Sequence, residues 1–159
     1  MSKRTVADVT NLASACAVTQ VDTRYLETLV GYNARRAALV VISEFLPRMA
    51  VFDLRPVDFS VLSVVIHNPG ITSRQLCATL GMQAPNLVGM LNAMEKRGLI
   101  SRRPHPHDGR AMGLHPTVAG QDLMRAAEKT ASELEDGATA GLTPVERKNL
   151  IQLLKKVYK

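Results

Sequence analysis

The chain has 159 residues, 46% apolar and 21% charged, which suits one domain with a full hydrophobic core and excludes a disordered composition. Twenty Lys and Arg against 14 Asp and Glu leave a net charge of +6, an excess that attracts polyanions without dictating a fold. The longest apolar run, near Ala37–Ile42, is too short to span a bilayer, and the opening MSKRTVADVTN lacks a signal peptide's apolar segment; no membrane role and a cytoplasmic location are expected. Two cysteines, Cys16 and Cys77, point to neither a disulfide framework nor a cysteine metal cluster.

Residues 1–21 read as a loose N-terminal arm. From about Asp22 to Ala50, Leu26, Leu29, Val30, Ala37, Val41, Phe45 and Met49 recur at three- and four-residue steps, predicting one long helix that Pro47 kinks or stops early. A second helix opens with Pro56 in its first turn and Asp58 near its N-terminus, and the run Asn68–Gly70 closes it. Thr72 and Gln75 form a capping box for a short helix that Gly81 ends. Another helix follows, with Pro85 in its first turn and Gly98 as its stop. Leu76, Leu80, Leu87, Val88 and Leu91 are expected where these two helices touch, with Cys77 and Gly81 small at the closest approach. The runs LISRRP and RAMGLHP, joined by a polar loop with Gly109, predict a β-hairpin. A helix then runs from Thr117 through Leu123, Met124, Ala127 and Leu134, and a last one opens with Thr143, Pro144 and Glu146, a second capping box.

A short helix, a glycine turn, a second helix and then a basic hairpin describe a winged helix-turn-helix within a mainly α chain that carries a small β-hairpin wing. The basic excess gathers there: Lys96, Arg97, Arg102, Arg103 and Arg110 face only Glu95 and Asp108 between residues 95 and 110. LNAMEKRGLISRRP, the Asp108 and Arg110 pair two apart and the TVAG opening of the next helix resemble the MarR-type transcriptional regulators. The resemblance covers roughly residues 22–157. It implies an obligate homodimer whose first and last helices, 22–54 and 117–159, interlock, and a DNA-binding lobe over 55–116. It also implies a groove-reading second helix and a wing arginine at the minor groove or its phosphates. Carried onto this chain, the DNA-contact candidates are Ser73, Gln83, Ala84, Asn86, Asn92, Arg102, Arg103, His107, Asp108 and Arg110. The groove helix departs from the family in its low charge, with Gln83, Ala84, Pro85, Asn86 and Gly89 where hydroxyl or charged residues are usual. Readout would fall to the amides of Gln83, Asn86 and Asn92, which suit adenine edges, while Arg102 would add affinity through phosphate.

The run RRPHPHDGR also invites a metal reading, because His105, His107 and His115 offer imidazoles. Pro104 and Pro106 bracket His105, the loop has no cysteine, and Asp108 is better used pinning Arg110 by a salt bridge, so a wing without metal is expected. Cys16 sits in SACAVT with no neighbouring cation to activate it, and Cys77 is assigned to packing. Arg35 and Arg36 lie mid-helix: they are either a solvated or inter-subunit face or an anion clamp for a carboxylate or an acyl-CoA phosphate. The resemblance places effectors where the first, second and fifth helices meet the DNA lobe. Tyr25, Tyr32, Arg35, Arg36, Phe59 and His67, with Met90, are the ligand candidates there, though aromatics and Met at helical spacing also serve as plain core. No nucleophile–base arrangement, Gly-rich phosphate loop or paired carboxylates point to an enzyme, and no cofactor is implied. The expected function is a ligand-responsive repressor on a pseudo-palindromic operator, released by a small aromatic acid or acyl-CoA. The alternative is a helix-turn-helix interaction or anti-repressor module without DNA readout.

Overall fold

The computed structural model describes residues 20–105 and 108–159, with side chains for all of these but 105 and 108–110. The expected N-terminal arm therefore lies almost wholly outside the described residues. By compactness the chain divides between Ala37 and Ala38. In the first unit, one turn of helix, α1 (Arg24–Glu27), precedes a break at Thr28 and Leu29, after which α2 (Val30–Met49) begins. The single long helix expected from Asp22 is thus two. Thr28 Oγ1 donates to the Tyr25 carbonyl at 2.7 Å, and Asn33 Nδ2 donates to the carbonyls of Glu27 and Leu29 at 2.8 Å each. Short polar side chains compete for backbone acceptors that a continuous helix needs.

The end of α2 belongs to the second unit. Pro47 lies inside α2, which continues to Met49 and tightens into a 3-10 turn, Ala50–Phe52, before Asp53 adopts the left-handed conformation at φ 49°. The helix α3 (Pro56–His67) starts as the sequence predicts, with the Asp58 carboxylate accepting from the Arg55 N–H at 3.2 Å. Then come β1 (Ile71–Thr72), α4 (Ser73–Leu80), α5 (Ala84–Lys96), β2 (Ile100–His105), β3 (Asp108–Pro116), α6 (Val118–Ala138) and α7 (Pro144–Tyr158). The hairpin is the larger part of a three-stranded antiparallel sheet ordered β1-β3-β2, with Ile71 opposite Leu114 and Arg102 opposite the same Leu114. β1 was not anticipated, because two residues are too few to show alternation. Val61, Leu62 and Val65 of α3 form the centre of the core, and Leu76, Leu87, Leu91, Leu114 and Met124 close around them. Phe45 of α2 meets the ring of Phe59 edge-on, with centroids 5.6 Å apart.

Two features fix the starts of the two helices that follow the sheet. At the start of α6, Thr117 Oγ1 donates to the Gly98 carbonyl at 2.6 Å and accepts from Gly120 N–H at 3.0 Å. Gly120 is buried so tightly that a Cβ there would lie 2.0 Å from the Leu99 carbonyl oxygen. At α7, Glu146 accepts from the Thr143 N–H at 2.8 Å, and that bond holds its carboxyl below the usual range. No residue of α7 is buried within the single chain.

Gly120→Ala is expected to cost about 3 kcal/mol or more, because a backbone oxygen cannot rotate aside as a side chain can. Gly137→Ala, in the same helix but with only Arg48 Nη2 at 3.8 Å from the new Cβ, should instead stabilise by about 0.5–1 kcal/mol. Urea unfolding of the two variants checks the contrast.

Candidate nucleic-acid interface

The turn motif is built from local chemistry. Thr72 Oγ1 accepts from Gln75 N–H at 3.3 Å, and Gln75 Oε1 accepts from Thr72 N–H at 2.9 Å, so α4 starts where the sequence predicts. Its end is set by Gly81 at φ +62°, a left-handed conformation that an L side chain resists. The Met82 N–H then bonds the Cys77 carbonyl at 3.0 Å, and α5 begins two residues later with Pro85 in its first turn.

One face of α5 is buried through Leu87, Leu91 and Met94. Gln83, Ala84, Pro85, Asn86, Val88, Gly89, Asn92 and Ala93 are exposed, and none of them is charged. Val88 departs from expectation. It was assigned to the contact with α4 but is 51% exposed, because one residue step turns the helix by about 100° away from buried Leu87.

The wing lies beside this face. Arg102 on β2 donates from Nη1 to Glu95 Oε2 at 2.8 Å and from Nη2 to Asn92 Oδ1 at 2.7 Å. Two residues expected to face DNA, Arg102 and Asn92, therefore face each other, and Glu95, which the sequence reading passed over, joins them. Arg103, the next residue, is exposed, and Ser73 is half-buried at the first position of α4. His107 and the side chains of His105, Asp108 and Arg110 lie outside the described residues, so the Asp108–Arg110 ion pair and the histidine metal reading do too. Among the described residues no group of three or more His, Cys, Asp or Glu is placed to hold a metal. A further residue missed in the sequence is Arg97. Its guanidinium donates to the carbonyls of Asp53 and Phe52 at 2.8 Å each and fastens the end of α5 to the turn after α2.

The ligand candidates fall in both units. In the first, Tyr25, Arg35 and Arg36 are exposed and Tyr32 is half-buried. In the second, Phe59 packs on Phe45, and His67 Nε2 lies 2.7 Å from Glu128 Oε1, which also accepts from Ser63 Oγ at 3.2 Å. Met90 packs against the core, as does the half-buried Cys77, in keeping with its assignment to packing. Cys16 is outside the described residues.

The model of the MarR family matches residues 52–111, from the turn after α2 into β3. A transcriptional repressor, CouR, solved on a 23-mer DNA duplex is 35% identical. The match covers 89% of this chain and 100% of that one, with a TM-score of 0.82. The chain belongs to the MarR family. It is a DNA-binding transcriptional regulator, not an enzyme. A CouR solved with p-coumaroyl-CoA is 34% identical, covering 89% of this chain and 98% of that one at a TM-score of 0.77. A Thauera aromatica protein named as a candidate regulator of the hcr operon is 28% identical over 131 residues, 82% of this chain and 79% of that protein. Among the described residues no helix is long and apolar enough to cross a membrane.

For this MarR-family lobe, Gly81→Ala should cost about 1 kcal/mol, the scale of holding an L residue in the left-handed region. Nothing lies within 4 Å of the new Cβ, so the loss is conformational. A lowered denaturant midpoint with unchanged slope is the expected result.

Proposed function

We propose that this regulator is a repressor that binds a pseudo-palindromic operator as a homodimer, in the cytoplasm, and is released by a small aromatic acid or its CoA thioester. One observation carries the reading. The chain presents an uncharged, solvent-facing stretch of α5, Gln83 to Ala93, beside a basic hairpin, and it is 35% identical to a repressor solved on duplex DNA.

Dimerisation is assigned to residues 22–54 and 117–159, and DNA binding to the lobe 55–116. In α7, Leu150, Leu153, Leu154 and Val157 are 40%, 60%, 42% and 73% exposed, an apolar stripe that water tolerates poorly and a second copy would cover. Two lobes held this way would meet major grooves one helical turn apart, about 34 Å. Gln83 and Asn86 would read adenine edges, and Val88 suits a thymine methyl. Ser73, Arg103 and Arg110 would contact phosphate or the minor groove and so set affinity. The effector reading is supported by the similarity to a regulator solved with p-coumaroyl-CoA and by exposed Arg35 and Arg36, whose forks suit phosphates. The effector would favour a lobe spacing that no longer fits two successive grooves.

The test is an electrophoretic shift with a duplex that the protein selects from a random pool, against scrambled competitor. Preference for the selected duplex, lost on adding p-coumaroyl-CoA, supports the full reading. Equal retention of both duplexes favours an interaction module, which the uncharged face of α5 would also suit. Asn86→Ala should narrow the gap between selected and scrambled DNA by roughly 1–3 kcal/mol. Arg110→Ala should weaken both and flatten the dependence of log affinity on log salt by about one unit per wing. Truncation after Gly141 should abolish the dimer in light scattering, since it removes the α7 stripe.

A further inference from the structure

We propose that Arg102 is a positioning residue that clamps the wing to the recognition helix α5, with Glu95 and Asn92 as its two anchors. The proposal rests on the reading that α5 and the wing meet DNA together, and it gives Arg102 a role other than neutralising phosphate.

The geometry is that of a fork held at both outer nitrogens. Glu95 and Asn92 stand three residues apart, so they are neighbours on one face of α5. Nη1 reaches the first at 2.8 Å and Nη2 the second at 2.7 Å. The side chains of Arg102 and Glu95 are 29% and 39% exposed, so both are partly withdrawn from water and the charge-assisted bond is stronger than a surface pair. A phosphate approaching Arg102 would meet a carboxylate already in contact with it.

The position in the sheet explains what such a clamp controls. Arg102 pairs with Leu114, which is fully buried, while Arg103 and Pro104 beyond it are exposed. Among the described residues no other side-chain hydrogen bond joins β2 or β3 to α5. The base of the hairpin is thus held by buried Ile100 and Leu114 and by the pairing of β3 with β1, and Arg102 adds a tie to α5 one pleat beyond Ile100. A planar guanidinium bound to two acceptors fixes direction as well as distance. That sets the angle at which the strand leaves α5, and through it the reach of the wing arginines. Holding that angle before DNA arrives removes an ordering cost from binding.

Charge counting and clamping predict opposite signs for one variant. Glu95→Ala removes a negative charge from a surface that meets a polyanion, so Coulomb's law alone predicts tighter binding. The clamp predicts weaker binding. Affinities for a duplex selected by the parent protein are measured across a salt series, below the melting midpoints of all variants. Glu95→Ala and Arg102→Lys should each weaken binding roughly tenfold, the scale of one charge-assisted hydrogen bond, with the double variant no weaker than either single. Lysine keeps the charge but cannot fork, so the salt slope should stay that of the parent. A merely stabilising contact would lower the melting midpoint and leave affinity at the assay temperature unchanged, which overturns the proposal. Binding by Glu95→Ala as tight as the parent's or tighter, with full affinity in Arg102→Lys, overturns it as well and makes Arg102 a phosphate contact. Asn92→Ala, which alters no charge, gives an independent reading should Glu95→Ala fold poorly. Several-fold weakening at unchanged slope supports the clamp, and unchanged affinity refutes it. If the parent selects no sequence at all, it is the DNA-readout reading that fails.

Discussion

Three elements meet at one backbone oxygen. The Leu99 carbonyl accepts from the Thr117 N–H at 3.1 Å and leaves no room for a Cβ on Gly120. Leu99 itself follows the left-handed Gly98 that ends α5, and its own N–H bonds the Met94 carbonyl at 3.0 Å. The end of α5, the residue that leads into β2 and the first turn of α6 are therefore one joint. Its tolerance is set by contact between backbones, which cannot relax by changing rotamer. The exposed face of α5 and the wing are both referenced to that joint.

The other end of the same constraint lies at Arg97. By holding the carbonyls of Phe52 and Asp53, it ties the last turn of α5 to the turn that closes α2. The C-terminal half of α5 is thereby bonded to α2's end, to α6's start and, through Glu95 and Asn92, to the wing. Among the described residues, the N-terminal half, from Gln83 to Gly89, makes no such side-chain tie to another element. Rigidity at one end and exposure at the other suit a helix that must present a few side chains to a groove without shifting its register. Ser63 and His67 of α3 meet Glu128 of α6 as well, so α6 carries the lobe through two separate contacts. A movement of α6 would then move α3, α5 and the wing as a body, which is how a change at a dimer interface could alter the spacing of two lobes.

The parts of this structure legible in the sequence are those decided by near neighbours. Thr72 with Gln75, Thr143 with Glu146, Pro56 with Asp58, and the glycines at 81 and 98 each act within one helical turn, and the helices start and stop where those residues place them. What escaped is decided by partners far along the chain. β1 exists because Ile71 finds Leu114, and two residues alone carry no period. The break at Thr28 depends on Asn33 reaching back to two carbonyls, a competition that apolar spacing does not record. Arg102 and Arg103 look alike in the sequence, yet one has acceptors seven and ten residues back on a helix and the other faces solvent.

That division separates affinity from discrimination on this surface. A net charge of +6 assists encounter with any duplex, and phosphate contacts from the wing would hold any sequence about equally well. The outward side of α5 from Gln83 to Ala93, having no charge, adds little to that general attraction. Amides such as those of Gln83 and Asn86 are satisfied by water when free, and at a mismatched base they would lose that water without gaining a partner. An unmet buried amide costs about 1–3 kcal/mol, more than the net gain from a met one. A groove helix that is poor in charge and rich in amides would therefore work mainly by penalising wrong sequences. Such a penalty would operate only if the helix could not tilt away from the mismatch, and the fixed joint at Leu99 and the fork at Arg102 would then share in the reading.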